Sequence, residues 1–149
     1  MEMLREELKN KEKRDKDLKK VMTLKEKGNK ARKYQEAIDL YTSAIRINDT
    51  NPVFYTNRAQ AFLKLGKAMD ASQDCRKALE LKPDFVKAFI HLAKALKELG
   101  EVQEAIETLE RAEGLCNDEQ ATVVKMYKVQ LVEEQTKNLS FVEDQRSSK

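Results

Sequence analysis

The chain contains no tryptophan, one histidine, 2 prolines and 4 glycines in 149 residues. Proline breaks helix interiors and glycine loosens them, so their scarcity leaves long stretches free to be helical. Two cysteines, Cys75 and Cys116, make neither a disulfide framework nor a metal-ligand spacing. Cys75 stands at an apolar position and reads as a buried, reduced thiol. No apolar run reaches the length of a membrane span, and the charged N-terminus has no signal-peptide core. The expectation is a cytoplasmic or nuclear protein without membrane contact. The sequence holds no Ser/His/Asp set, no Cys–His pair at useful spacing, no phosphate-cradling glycine loop and no metal cluster. A non-enzyme without cofactor follows. The net charge of +3 is mild, and Lys and Arg are mixed with Glu and Asp. The basic N-terminal segment lacks interleaved aromatics, which argues against nucleic-acid binding.

What the chain does have is charge and a period. Charged residues make up 37%, against about 25% in an average globular protein. Such a surplus suits amphipathic helices with solvated faces. Ala37, Ala71 and Ala105 stand 34 residues apart, as do Ala44, Ala78 and Ala112. Tyr41, Cys75 and Leu109 repeat at the same interval, and so do Tyr55 with Phe89 and Gly66 with Gly100. This is the length of one tetratricopeptide helix–turn–helix unit. Small alanines let two helices approach, and the aromatics fill the gaps beside them. These stripes read as core, not as site.

The period divides the chain. Residues 1–20 carry few apolar side chains and read as a charged helical lead-in. Three repeats are expected over residues 21–116, at about 21–50, 51–84 and 85–116. Asn51-Pro52 is a helix start, Asp84 a candidate cap after Pro83, and Gly66 and Gly100 are helix breaks. Asn117 and Gln120 have the spacing of a capping box and open a last helix over 117–141. Val123, Met126, Tyr127, Gln130 and Leu131 give that helix one side with which to cover the open end of a solenoid. Residues 142–149 are expected to be disordered. The expected fold is all-α: three tetratricopeptide repeats and a C-terminal capping helix in a right-handed superhelical solenoid, seven principal helices after the lead-in.

The segments LKEKGNKA, YTNRA and LKPDFVKAFIHLAKAL resemble the tetratricopeptide domains of chaperone cofactors, across roughly residues 22–115. The resemblance implies a groove lined by the first helix of each repeat. It implies a carboxylate clamp there for the C-terminal Glu-Glu-Val-Asp of heat-shock protein 70 and 90 chaperones. The clamp carries over onto Lys25, Asn29, Asn57 and Lys87. Its fifth place falls on His91, where the family more often has Arg. His91 is then either a clamp donor or a groove-lining spacer, and Lys94 could restore positive charge nearby. If His91 touches the bound carboxylates, affinity should rise between about pH 7.5 and about pH 6. The implied function is a co-chaperone adaptor. The alternative is a scaffold that binds a non-chaperone protein.

The first repeat departs from the pattern. Arg32 stands where Gly66 and Gly100 stand in the later repeats, and Gly28-Asn29 lies about three residues nearer Ala37 than the family spacing requires. A strained, re-registered or less stable first repeat is expected.

Overall fold

The computed structural model describes the backbone of residues 2–147 and the side chains of residues 2–139. Within these residues the chain forms six helices. They are α1 (Glu2–Ile47), α2 (Pro52–Lys64), α3 (Ala68–Leu81), α4 (Val86–Glu98), α5 (Val102–Glu113) and α6 (Asp118–Ser147). Each packs against the next, and α2 also touches α4, as α4 touches α6. The all-α repeat solenoid is therefore present, with α2–α3 and α4–α5 as two helix–turn–helix units.

Local chemistry sets these boundaries. The Asn51 side chain accepts the Val53 N–H at 3.0 Å, and Pro52 occupies the first turn. Gly66 ends α2 at φ +75° and Gly100 ends α4 at φ +82°. Beyond each glycine the chain closes a 6→1 and a 5→2 bond: Lys67 N to Phe62 O at 2.9 Å and Gly66 N to Leu63 O at 3.1 Å. The second set is Glu101 N to Leu96 O at 2.8 Å and Gly100 N to Lys97 O at 3.0 Å. This helix stop needs a residue at positive φ, which glycine adopts without a Cβ clash. The expected capping box forms: Gln120 N donates to Asn117 Oδ1 at 2.9 Å and Asn117 N to Gln120 Oε1 at 3.1 Å. Asp84 does not cap α4, whose first turn follows Phe85 without a side-chain cap.

The first repeat differs most from expectation. Residues 21–50 do not form a hairpin, and the lead-in is not separate from them: α1 is one helix of 46 residues. Hence there are six helices in place of seven. Among the described residues only Gly66 and Gly100 take positive φ, and Arg32 offers no such option. Arg32 instead pairs with Glu36 at 3.4 Å, an i,i+4 bridge across the point where a turn was expected. At 1.5 Å per residue α1 is about 69 Å long. Residues 2–33 are exposed throughout, and Ile38 is the one buried residue of the helix.

The core lies where the period placed it. Ala71, Cys75, Ala78, Ala105, Leu109 and Ala112 are fully buried. Burial pushes the Cys75 thiol up to about 12, as suits an inert core cysteine. Arg58 fastens three helices. Its guanidinium donates to both carboxylate oxygens of Asp74, at 2.7 and 2.6 Å, and to Thr42 Oγ1 at 3.2 Å. The hydrogen bond to Asp74 raises the Arg58 pKa above its usual value.

The last helix closes the stack with Tyr127 and Leu131 of the expected side, and with Val124 where Val123 was expected. Val124 and Leu131 are buried and Tyr127 is half-buried, while Val123, Met126 and Gln130 are exposed. The helix continues through Ser147 and so includes most of the segment expected to be disordered; Ser148 and Lys149 lie outside the described residues.

Candidate peptide-binding groove

Three helices converge on a cleft of about 360 Å³. Gln60, Leu63 and Lys64 come from α2, His91, Lys94 and Lys97 from α4, and Tyr127, Gln130 and Leu131 from α6. Helical spacing puts the members of each set on one face. Three lysines surround an apolar floor, and Glu98 contributes the one carboxylate of the lining. Lys94 Nζ lies 4.8 Å from the centroid of the Tyr127 ring, and Lys97 Nζ lies 3.7 Å from Glu134. A cleft with this charge favours an anionic ligand with some apolar surface.

His91 sits in the wall of this cleft, 7% exposed, and neither ring nitrogen has a hydrogen-bond partner among the described residues. Burial, with Lys94 and Lys87 adding like charge, lowers its pKa to about 4. The imidazole of the free protein is therefore neutral at pH 7 and across the window in which the sequence suggested it would titrate. A neutral imidazole still offers one donor and one acceptor. A ligand carboxylate can accept that N–H.

The sequence-derived clamp residues do not all meet. Asn57 is half-buried on α2, and Lys87 is exposed in the first turn of α4. Lys87 stands one turn before His91 and near enough to depress its pKa. Lys94 is half-buried in the cleft. Lys25 and Asn29 are exposed on α1, which among the described residues packs against α2 alone. The chain does not bring them to α4. Residues that the sequence reading missed are Gln60, Lys64, Lys97 and Tyr127. The repeat register carried a signal for two of them. Gln60 and Lys94 share one repeat position, and Leu63 and Lys97 another.

Two tetratricopeptide repeat models match the chain, over residues 52–85 and 86–119, covering α2–α3 and α4–α5. Among solved structures, the first tetratricopeptide domain of Spaghetti (RPAP3) bound to the HSP90 peptide SRMEEVD is 35% identical. It aligns with 77% of this chain and 92% of its own, with a TM-score of 0.64. The TPR2B domain of yeast Sti1, in complex with pHsp70, is 30% identical over 68% of this chain and 85% of its own, with a TM-score of 0.67. Small glutamine-rich tetratricopeptide repeat-containing protein 2 of Mycosarcoma maydis is 40% identical over 100 residues, 65% of this chain. The chain spans 28% of that relative's length and 16% of human TOM70, with which it is 43% identical over 98 residues. No helix among the described residues is long and apolar enough to cross a membrane. With its 34-residue period, two glycine-stopped helical hairpins and solved relatives that it nearly spans, the chain belongs to the tetratricopeptide repeat family.

Proposed function

We propose that this chain is a non-catalytic adaptor of the cytoplasm, possessing a groove for the acidic C-terminal tail of a heat-shock 70 or 90 chaperone. The observation that carries this reading is the lysine-rimmed cleft of α2, α4 and α6, set beside relatives solved with peptides ending in Glu-Glu-Val-Asp. Such a tail presents two carboxylates within a few ångströms, its terminal group and its last side chain. Lys87 and Lys94 supply cations, Asn57 supplies amide donors, and neutral His91 supplies one N–H. Charge-assisted hydrogen bonds contribute roughly 1.5–3 kcal/mol each. Micromolar binding, about −8 kcal/mol, is the expected scale for a short peptide in an open groove. The apolar floor of Leu63 and Leu131 suits the valine before the final aspartate.

Calorimetry with a peptide ending in Glu-Glu-Val-Asp tests the proposal. Binding should be lost on amidation of the C-terminus and weakened by Lys87→Ala. Equal affinity for the amidated peptide would overturn the clamp. It would favour a scaffold that holds a non-chaperone partner by its flank.

A further inference from the structure

In the second and third repeats, the seam between the two helices of each hairpin is sealed. Ala71, Cys75 and Ala78 are fully buried, as are Ala105, Leu109 and Ala112. The matching residues of α1 are Ala37, Tyr41 and Ala44, and all three are only half-buried. The helix that should cover them exists in the sequence, over about residues 21–31, but α1 carries it straight away from the seam. Val21 and Leu24 are 60% and 62% exposed on that segment. Gly28 interrupts it without local need: its φ is not positive, and an added Cβ would meet nothing within 4 Å. A mid-helix glycine weakens a helix relative to alanine. Residues 34–47 thus present an uncovered seam, and residues 21–31 an uncovered covering helix, both on one continuous helix.

We infer that two copies of this chain exchange these segments, each supplying the first helix of the other's first repeat. An antiparallel helical hairpin opened at its turn becomes one straight helix. Two such helices, related by a two-fold axis, restore every hairpin contact between copies. The register supports this. Ala59 lies on α2 and Ala71 on α3, both buried in one cluster, and Ala93 and Ala105 repeat the pair on α4 and α5. A two-fold axis between Arg32 and Lys33 sets Gly28 of one copy opposite Ala37 of the other. The same axis sets Leu24 opposite Tyr41 and Val21 opposite Ala44. Small therefore meets small at the close approach, and apolar meets aromatic beside it. The shortened turn favours exchange over folding back, because a short or missing hinge cannot reverse the chain without unwinding helix.

The exchange completes the groove. First helices of successive repeats touch, as α2 touches α4, so residues 21–31 of one copy would lie beside α2 of the other. Lys25 and Asn29 of one copy then join Asn57 and Lys87 of the other in a composite clamp. This last step rests on the clamp reading of the groove, whereas the exchange itself does not.

Sedimentation and light scattering of the full chain test the exchange. The expected mass is twice 17.2 kDa. Gly28→Leu adds a side chain into open space within one copy, so it should leave the fold intact and yield a monomer. Inserting three residues after Ala31 together with Arg32→Gly restores the turn, and should also yield a monomer. A monomeric wild-type chain, or a dimer indifferent to both changes, overturns the exchange. Peptide binding by mixed chains tests the composite site. Lys25→Ala and Lys87→Ala chains should each bind weakly. Co-refolded at equal amounts, they should regain about a quarter of the sites, since half the dimers are mixed and each has one intact groove. No recovery from a proven dimer would overturn the composite clamp while leaving the exchange standing. Wild-type peptide binding by a monomer would leave the clamp standing and overturn the exchange.

Discussion

The first repeat and the two that follow carry the same second helix and differ in what reaches it. In repeats two and three, a glycine at positive φ reverses the chain after α2 and after α4, and the returning helices bury their alanines completely. In repeat one no residue takes that conformation, Gly28 included, and α1 continues for 46 residues. The sequences of the second helices are alike enough that Ala37, Ala71 and Ala105 keep their period. Their burial does not follow, since Ala37 stays half-open. A tertiary seam therefore depends on a turn several residues away as much as on the residues that form it.

The largest effect should come from a charged lock shared by the two regions. Arg58→Ala removes both hydrogen bonds to Asp74, which is 5% exposed, and the bond to Thr42 on α1. A buried carboxylate left unpaired costs about 3–5 kcal/mol. Urea denaturation at neutral pH should show a loss of that size. Replacing Arg58 with Met and Asp74 with Leu together should recover most of it. A loss under about 1 kcal/mol for Arg58→Ala would mean that the pair is solvated, and that the α2–α3 hairpin stands on apolar packing alone.

Next come the equivalent core positions. Leu109 is fully buried, and Leu109→Ala should cost about 2–5 kcal/mol. Tyr41 holds the same repeat position but is half-exposed. Tyr41→Ala should cost less than half as much within a single chain, as the area it removes from water is smaller. Thermal melts of the two variants at low protein concentration would check the ratio. Equal costs would show the first seam to be covered.

How much of this was legible in the sequence follows the same division. Gly66, Gly100, Asn51-Pro52 and the Asn117–Gln120 box act over a few residues, so they could be read one at a time. The missing turn also left a trace, in the short interval from Gly28 to Ala37 and in Arg32. Length alone, however, does not distinguish a strained hairpin from a fused helix. That choice depends on whether the intervening residues tolerate helix, and Ala31-Arg32-Lys33 tolerates it well. His91 was harder still. Its repeat position faces the groove, but whether such a side chain reaches solvent or is buried depends on how the neighbouring helices close against α4. The same holds for Tyr127, which reaches the cleft from a helix outside the repeat register.

His91 makes the pH response of the later repeats distinct from that of α1. Its pKa in the folded chain is about 4, below its ordinary 6.5, so the unfolded chain binds the extra proton first. The stability this contributes is fully present above about pH 6.5 and is lost as pH falls toward about 4. The loss across that window should be roughly 2–3 kcal/mol. Urea midpoints at the two ends would measure it, and His91→Leu should flatten that part of the profile. An unchanged slope in His91→Leu would assign the acid response to other groups. Bound acidic peptide should raise the His91 pKa, which nuclear magnetic resonance of the imidazole protons would report.

The smallest effects oppose each other in sign. Gly100→Ala places a Cβ at φ +82° and should cost about 1–2 kcal/mol, seen as a lower melting midpoint of the repeat core. Gly28→Ala places a Cβ in open space on a straight helix, where alanine is favoured by about 1 kcal/mol. Circular dichroism should then show more helix on warming, with little change in the core transition. Alanine also occupies the matching positions of α2 and α4, so a second copy seated at Gly28 would tolerate it, unlike leucine. Loss of helix in Gly28→Ala would show that residue 28 belongs to a turn. The first repeat would then close as the others do, and the contrast between the two regions would disappear.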